Sequence, residues 1–264
     1  MKQLLHDSAA TRNTLLTAAD PAPVRAANMG ARSPFLLVAD HAGRVIPRVL
    51  GNLGLPEPEL ERHIAWDIGV ERLGAHLART LGAPLIAQAY SRLVIDCNRA
   101  PGSAQSIPLV SDGTLIPGNH DIPNWQRRVR AAEIYAPYQA AIGAELARRL
   151  SDGQTSVLVA LHSFTPVLGD APRPWRYGVL HRDDSPFSTA MLALLSAHLG
   201  GGVGDNQPYA MDATDNTVPL HSGQAVDYLE LEVRQDILAD DAGQRAVAGL
   251  VAGCLLGAHR SIFG

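Results

Sequence analysis

Cysteine is scarce in this chain: Cys97 and Cys254 are the only two among 264 residues. That is no disulfide framework, and a reducing, cytoplasmic setting fits it. Cys97 reads as a small buried hydrophobe rather than a reactive thiol. Aromatic residues make up 5% and charged residues 18%, the latter below the usual quarter. A net charge of −4 and an isoelectric point near 6.2 give no electrostatic case for nucleic acid or an anionic membrane. No run of about 18 apolar residues occurs, so no membrane span is expected. Met1 to Asp7 has too broken a pattern to open a signal peptide. Several catalytic signatures are also missing. No Gly-x-Gly-x-x-Gly follows a strand, and Gly200-Gly201-Gly202 stops a helix rather than opening one. No Gly-x-Ser-x-Gly elbow surrounds Ser163, and His-Glu-x-x-His is absent. What the chain does have is 46% hydrophobic residues, enough for the core of one large α/β domain or two small ones.

The segment Ser91-Arg92-Leu93-Val94-Ile95-Asp96-Cys97-Asn98-Arg99 concentrates the question. Its apolar centre is strand material, suited to a buried strand of a parallel sheet. Arg92, Asp96, Asn98 and Arg99 then need partners, because unpaired buried charge is costly. An internal Arg–Asp pair would supply them. So would the mouth of a site for an anionic substrate, since the planar fork of arginine grips a carboxylate through two hydrogen bonds.

Residues 1–32 are Ala-rich and weakly patterned and read as an N-terminal extension, with a short helix near Leu15 and Leu16 ended by Pro21 and Pro23. Residues 33–264 read as a single domain. Strands are expected at 35–39, 85–89, 92–96, 156–161, 177–180 and 228–233. Ile68, Val70, Leu73, Leu77 and Leu81 recur three or four apart, which gives a helix with one apolar face. Asp67 is placed to cap it and Gly82 to close it. Long helices are expected over 122–150 and 242–262, and one over 185–199 capped by Ser185 with Pro186 at its first position. Strand–helix–strand order implies parallel pairing with right-handed crossovers.

Polar residues gather where hydrophobic strands end: His41 after Leu36-Leu37-Val38, Asp96 with Asn98 and Arg99 after Leu93-Val94-Ile95, and His162 after Val157-Leu158-Val159. Ligands of open α/β sheets bind at such ends. Two histidines with nearby carboxylates favour zinc, whose catalytic sites combine imidazole and carboxylate and keep one position for water. His41 and His162 are the first two ligands. For the third, Asp67 competes with Glu71 and Asp40. Glu230 and Glu232 share one face of an alternating strand. A plain structural reading leaves both solvated on an edge strand or paired with Arg234.

The motifs together resemble those of the N-formylglutamate amidohydrolase family. They are Asp-His-Ala-Gly at 40–43, Trp-Asp-Ile-Gly at 66–69, Ser-Arg-Leu-Val-Ile-Asp-Cys-Asn-Arg at 91–99, His-Ser-Phe-Thr-Pro at 162–166, Asp-Asn-Gln-Pro-Tyr at 205–209 and Glu-Val-Arg-Gln-Asp at 232–236. The family is related to zinc carboxypeptidases and aspartoacylase. That relationship implies a three-layer α/β/α fold around a mixed, largely parallel sheet. It also implies that His41 and His162 bind one zinc ion, which purification can remove. The relatives take their carboxylate ligand from His-x-x-Glu. Here that position is Arg44, so Asp67 becomes the matching candidate. By the same resemblance Glu232 takes a proton from the zinc-bound water, Arg92 polarises the scissile carbonyl, and Asn98 and Arg99 hold a substrate carboxylate. His221, at the end of the polar loop, and Arg234, just past the strand, complete the substrate-binding set. Members of the family that act in histidine breakdown tend to carry Asp two residues before the second histidine. This chain has Ala160 there, which suggests another N-acyl amino acid or small amide as substrate.

The expected activity is therefore metal-dependent hydrolysis of N-formylglutamate or another N-acyl amino acid, an acidic small molecule. An oligomer is compatible with the composition. Two other readings compete. One is a non-catalytic binding protein of the same fold that grips an acidic ligand with Arg92 and Arg99. The other is a metallopeptidase, ranked lower because nothing indicates a groove for an extended peptide.

Overall fold

A computed structural model describes residues 14–182, 185–223 and 226–264. A seven-stranded sheet lies at its centre, made of β1 (Val24–Ala27), β2 (Phe35–Ala39), β3 (Leu85–Gln88), β4 (Ser156–Phe164), β5 (Tyr177–Leu180), β6 (Val203–Asp205) and β7 (Val226–Arg234). The spatial order is β1-β3-β2-β4-β7-β5-β6. The four middle strands β3, β2, β4 and β7 are parallel. β1 is antiparallel to β3, and β5 is antiparallel to β7 and parallel to β6.

The middle strands are apolar at successive positions because both faces are covered. Leu37, Val159 and Leu231 point into one core cluster, while Leu36, Leu158 and Ala160 point into the other. The first cluster is closed by α1 (Val70–Leu81), α3 (Pro186–Leu199) and α4 (Asp241–Phe263), through residues such as Leu73, Leu77, Met191, Leu195, Val251 and Leu255. The second is closed by α2 (Ala136–Ser151), through Tyr138 and Ile142. The helical run that ends in α2 begins at Asn124 and passes through a π-helical segment at Ala131–Tyr135. Ser185 caps α3 as its sequence implies, accepting from the Ser188 N–H at 3.2 Å. Among the described residues α4 alone is long and apolar enough to cross a membrane by length and composition. Its Val247, Val251, Leu255 and Ala258 are buried in the first cluster. The result is the expected three-layer α/β/α fold on a mixed, largely parallel sheet.

Three local expectations change. The apolar run 92–96 is not a strand but a succession of turns. Leu93, Val94 and Ile95 are buried all the same, because they pack into the second cluster. Their backbone is satisfied without a ladder: the Leu93 carbonyl accepts from Asn119 at 2.9 Å and the Val94 carbonyl from Arg130 at 2.9 Å. Second, β7 is not an edge strand, since it lies between β4 and β5. Third, Leu15 and Leu16 form no helix, and their N–H groups donate to the Glu133 carboxylate at 3.0 and 2.7 Å. Residues 1–13 of the extension lie outside the described residues. Its later part supplies edge strand β1 and the buried Leu15.

Candidate metal centre and active-site cleft

The candidate ligands stand where the parallel strands end. Asp40 and His41 follow β2, and His162 lies near the end of β4. β7 runs beside β4 with Glu232 opposite His162 and Glu230 opposite Ala160. His162 has the parity of Leu158 and Ala160, so it faces the α2 side of the sheet. The His41 and His162 rings meet there, with centroids 5.0 Å apart.

Asp67 lies between them. Its Oδ2 is 3.1 Å from His162 Nδ1 and 3.6 Å from His41 Nδ1. It also accepts from the Ser163 backbone N–H at 3.2 Å. Asp67 therefore does not cap α1; the cap position is Gly69, with no side-chain bond. Glu71, its helical neighbour, pairs with Arg25 at the exposed surface. Asp40 sits on the outer side of His162, with Oδ2 3.5 Å from Nε2, and accepts from the Thr217 hydroxyl. Asp96 plays the matching part for His41, accepting at 2.7 Å from Nε2. Asp96 thus orients the His41 ring through its far nitrogen, as second-shell partners orient metal-binding histidines, while Asp40 lies near the far nitrogen of His162 without a hydrogen bond to it.

The charges are strongly biased. Burial and the Arg92 charge oppose protonation of His41, yet Asp96 and Asp67 outweigh them and raise its pKa above 6.5. Burial likewise opposes protonation of His162, while Asp40 and Asp67 lift its pKa well above 6.5. Burial alone would raise Asp67, but His41 and His162 hold its carboxyl far below the usual range. The carboxylates around the two rings favour a cation between them.

Glu230 and Glu232 are both buried, and both line the same cleft as the histidines. Burial pushes Glu230 up to about 7, with Asp215 and Asp40 adding to the rise. Burial pushes Glu232 up to about 8, with Asp67 and Glu230 adding to it. One oxygen of each, Oε2, has no hydrogen-bond partner. Gly178 on β5 makes room for this arrangement: a Cβ there would lie 2.0 Å from the Gln207 carbonyl oxygen and 3.3 Å from Glu232 Cβ. The cleft has a volume of about 310 Å³, the lower end for small-molecule sites.

Arg92, Asn98 and Arg99 line this cleft too. Arg92 donates to Asp96 through Nη2 at 2.7 Å and Nε at 3.1 Å, and its Nη1 lies 3.5 Å from Asp67. Asn98 accepts from the N–H groups of Asn216 and Thr217 at 3.0 and 2.9 Å. Arg99 pairs with Asp215 at 2.6 Å. Neither His221 nor Arg234 lines the cleft. His221 bonds Gln139 of α2 at 2.8 Å, and Arg234 pairs with Asp236 at 2.8 Å and donates to the Arg173 carbonyl at 3.1 Å. Sequence reasoning did not assign Asp215, His63, Tyr209 or Glu230 to the cleft. Two of them carried a usable signal: Glu230 in its parity with Glu232, and Tyr209 as the last residue of the Asp-Asn-Gln-Pro-Tyr motif.

A family model described as N-formylglutamate amidohydrolase matches residues 33–239. The chain belongs to the N-formylglutamate amidohydrolase family. The crystal structure of a gene product of Agrobacterium tumefaciens superposes with a TM-score of 0.91 at 34% identity, covering 95% of this chain and 100% of that one. The structure of N-formylglutamate amidohydrolase from Ralstonia eutropha gives a TM-score of 0.64 at 20% identity, covering 92% of this chain and 100% of that one. At that identity the likeness is one of fold. No curated protein sequence matches the chain.

For this member of the family the donor set fits a metal ion. One donor atom each from His41, Asp67 and His162 lies within 4.8 Å of the others, and all three residues are buried. His41 Nδ1 is buried without a hydrogen-bond partner, while its Nε2 is held by Asp96. That leaves the Nδ1 lone pair facing Asp67. Two imidazoles and one carboxylate are a common catalytic zinc set.

Proposed function

We propose that this chain is a metal-dependent amidohydrolase that cleaves the amide bond of N-formylglutamate or another N-acyl amino acid. His41, Asp67 and His162 would hold the ion. Zinc bound there supplies Lewis acidity toward the amide carbonyl and acidifies a water. The chain's own groups do the rest. Glu232 takes a proton from the attacking water and passes it to the amide nitrogen, so the C–N bond breaks with a neutral amine leaving. Arg92 faces the charge that develops on the acyl oxygen. Asn98 and Arg99 hold the substrate carboxylate. The observation that carries this reading is the buried His41–Asp67–His162 triangle beside a buried Glu232 whose Oε2 has no hydrogen-bond partner, all in one cleft.

The test compares wild type with His162→Ala after zinc loading and dialysis. Wild type should retain about one equivalent of zinc and release acid from N-formyl amino acids, while the variant should lose both. Equal metal content would remove His162 from the ligand set. Zinc-loaded wild type that binds N-acyl amino acids in calorimetry without turning them over would make the chain a binding protein.

A further inference from the structure

The guanidinium groups of the cleft are already committed. Arg92 is held by Asp96, and Arg99 by Asp215. The second pair bears on selectivity. Arg99 uses Nη1 for both its bonds among the described residues, to Asp215 at 2.6 Å and to the Asn98 carbonyl at 3.3 Å. Its other edge remains for one incoming carboxylate. N-formylglutamate carries two.

Asp215 is not a loose strap. Its Oδ2 accepts from the Asp212 N–H at 2.8 Å, and its Oδ1 lies within 3.4 Å of the Asn98 amide. The next two residues are tied to the Asn98 side chain through their N–H groups. Its side chain is 9% exposed. Glu230 adds a second carboxyl to the cleft, 3% exposed and with Oε2 unpartnered. Once the free edge of Arg99 is taken by one carboxylate, a further substrate end placed near these groups meets acceptors. A second carboxylate would be repelled, while an amide N–H or an ammonium would be held.

We propose that Asp215, with Glu230 in the same cleft, is the specificity-determining residue, selecting N-acyl amino acids with one carboxylate and a hydrogen-bond-donating side chain over the dicarboxylic N-acyl glutamate. This rests on the reading of the cleft as an N-acyl amino acid hydrolase. Asp215 acts twice: it neutralises half of Arg99, and it presents like charge to a second carboxylate.

N-formylglutamine and N-formylglutamate are near-isosteric and differ in that charge. Zinc-loaded wild type should favour N-formylglutamine in kcat/KM by about tenfold or more. Asp215→Asn frees Nη1 of Arg99 and should bring the ratio within about threefold, chiefly by improving N-formylglutamate. Asp215→Glu keeps the charge and should keep the preference. Glu230→Gln is the second variant if Asp215→Asn fails to fold, and should shrink the preference. Wild type preferring N-formylglutamate, or a ratio that folded Asp215→Asn leaves unchanged, overturns the assignment while leaving the hydrolase reading intact. If neither compound turns over, the hydrolase reading fails, and calorimetry with the same two ligands decides the selectivity. Tighter N-formylglutamine supports it; equal affinity, tighter N-formylglutamate or no binding overturns it.

Discussion

Replacing Glu232 by Gln tests the proposed chemistry most directly. The β4–β7 register sets Glu232 opposite His162 on adjoining strands, which lie about 4.8 Å apart. Its carboxyl group is buried, lines the cleft and has one oxygen without a partner. On the proposed mechanism it takes the proton of the attacking water. Gln keeps the volume and one acceptor oxygen but cannot take the proton. General-base catalysis contributes about 10²–10⁴ in rate, equivalent to roughly 3–5 kcal/mol of transition-state stabilisation. kcat should fall by that factor with KM within about twofold, because the lost interaction belongs to the transition state. The assay is initial-rate release of formate from N-formyl amino acids, with zinc content and thermal melting measured on the same samples. Glu230→Gln does not serve as a silent control, because Glu230 lines the same cleft. Glu71→Gln does, since Glu71 pairs with Arg25 at the surface. A kcat for Glu232→Gln within about threefold of wild type, with zinc retained, would refute Glu232 as the base.

Asp96→Asn removes the charge on His41 Nε2 and on Arg92; zinc affinity should fall about 10–100-fold in competition with a chelator, and an unchanged affinity would dismiss its orienting role. Gly43→Ala puts a Cβ 2.1 Å from the Ala89 carbonyl oxygen, where the Asp-His-Ala-Gly loop crosses the exit of β3. Denaturant unfolding should show a loss of about 1–3 kcal/mol. Glu145 carries a pH-dependent contribution. Its hydrogen bonds to Arg148, with the one to the buried Arg149, hold its carboxyl below the ordinary 4.5 despite burial. The folded state thus releases this proton more readily than the unfolded chain. The stabilisation is complete above pH 4.5 and disappears as pH falls through the lower folded value. Glu145→Gln should destabilise the fold at pH 7, and the pH-dependent part of the gap to wild type should vanish in acid; a gap independent of pH would refute the assignment.

The layers of the fold were legible because burial on both faces leaves a strong mark. Phe35-Leu36-Leu37-Val38-Ala39 and Ser156 to Leu161 are continuous apolar runs bounded by turn residues, and they became β2 and β4. The α1 stripe was legible from its three-and-four spacing, with Val70, Leu73 and Leu77 buried. The short edge strands were not. β1 and β6 have four and three residues, and Val24–Ala27 alternates too little to be told from a loop. The apolar run 92–96 misled for the converse reason. Hydrophobic side chains report burial, not backbone form, and here Asn119 and Arg130, distant in sequence, take the carbonyls that a sheet would have taken.

The gathering of His41 and His162 in one cleft could be read from the ends of strongly patterned strands, whereas Asp67, which competed with Glu71 and Asp40, came forward only through the family resemblance. The counter-charges could not be read, because they are contacts across the chain. Asp215 meets Arg99 from 116 positions away, and no local pattern marks an aspartate in a polar loop as a partner. The turn at 91–99 explains why such partners are needed. Had the segment been a strand, Arg92 and Asp96 would share one face, roughly 13 Å apart at strand rise. As a turn it folds Asp96 back onto Arg92 at 2.7 Å while the other oxygen of Asp96 reaches His41. One carboxylate thereby offsets the burial of a guanidinium and fixes an imidazole. The same economy operates at Arg99, where Asp215 offsets a half-buried charge and, on the proposed selectivity, would narrow what that charge can bind. On the selectivity proposed above, the groups that make these arginines tolerable in the fold would also set which anions the cleft accepts.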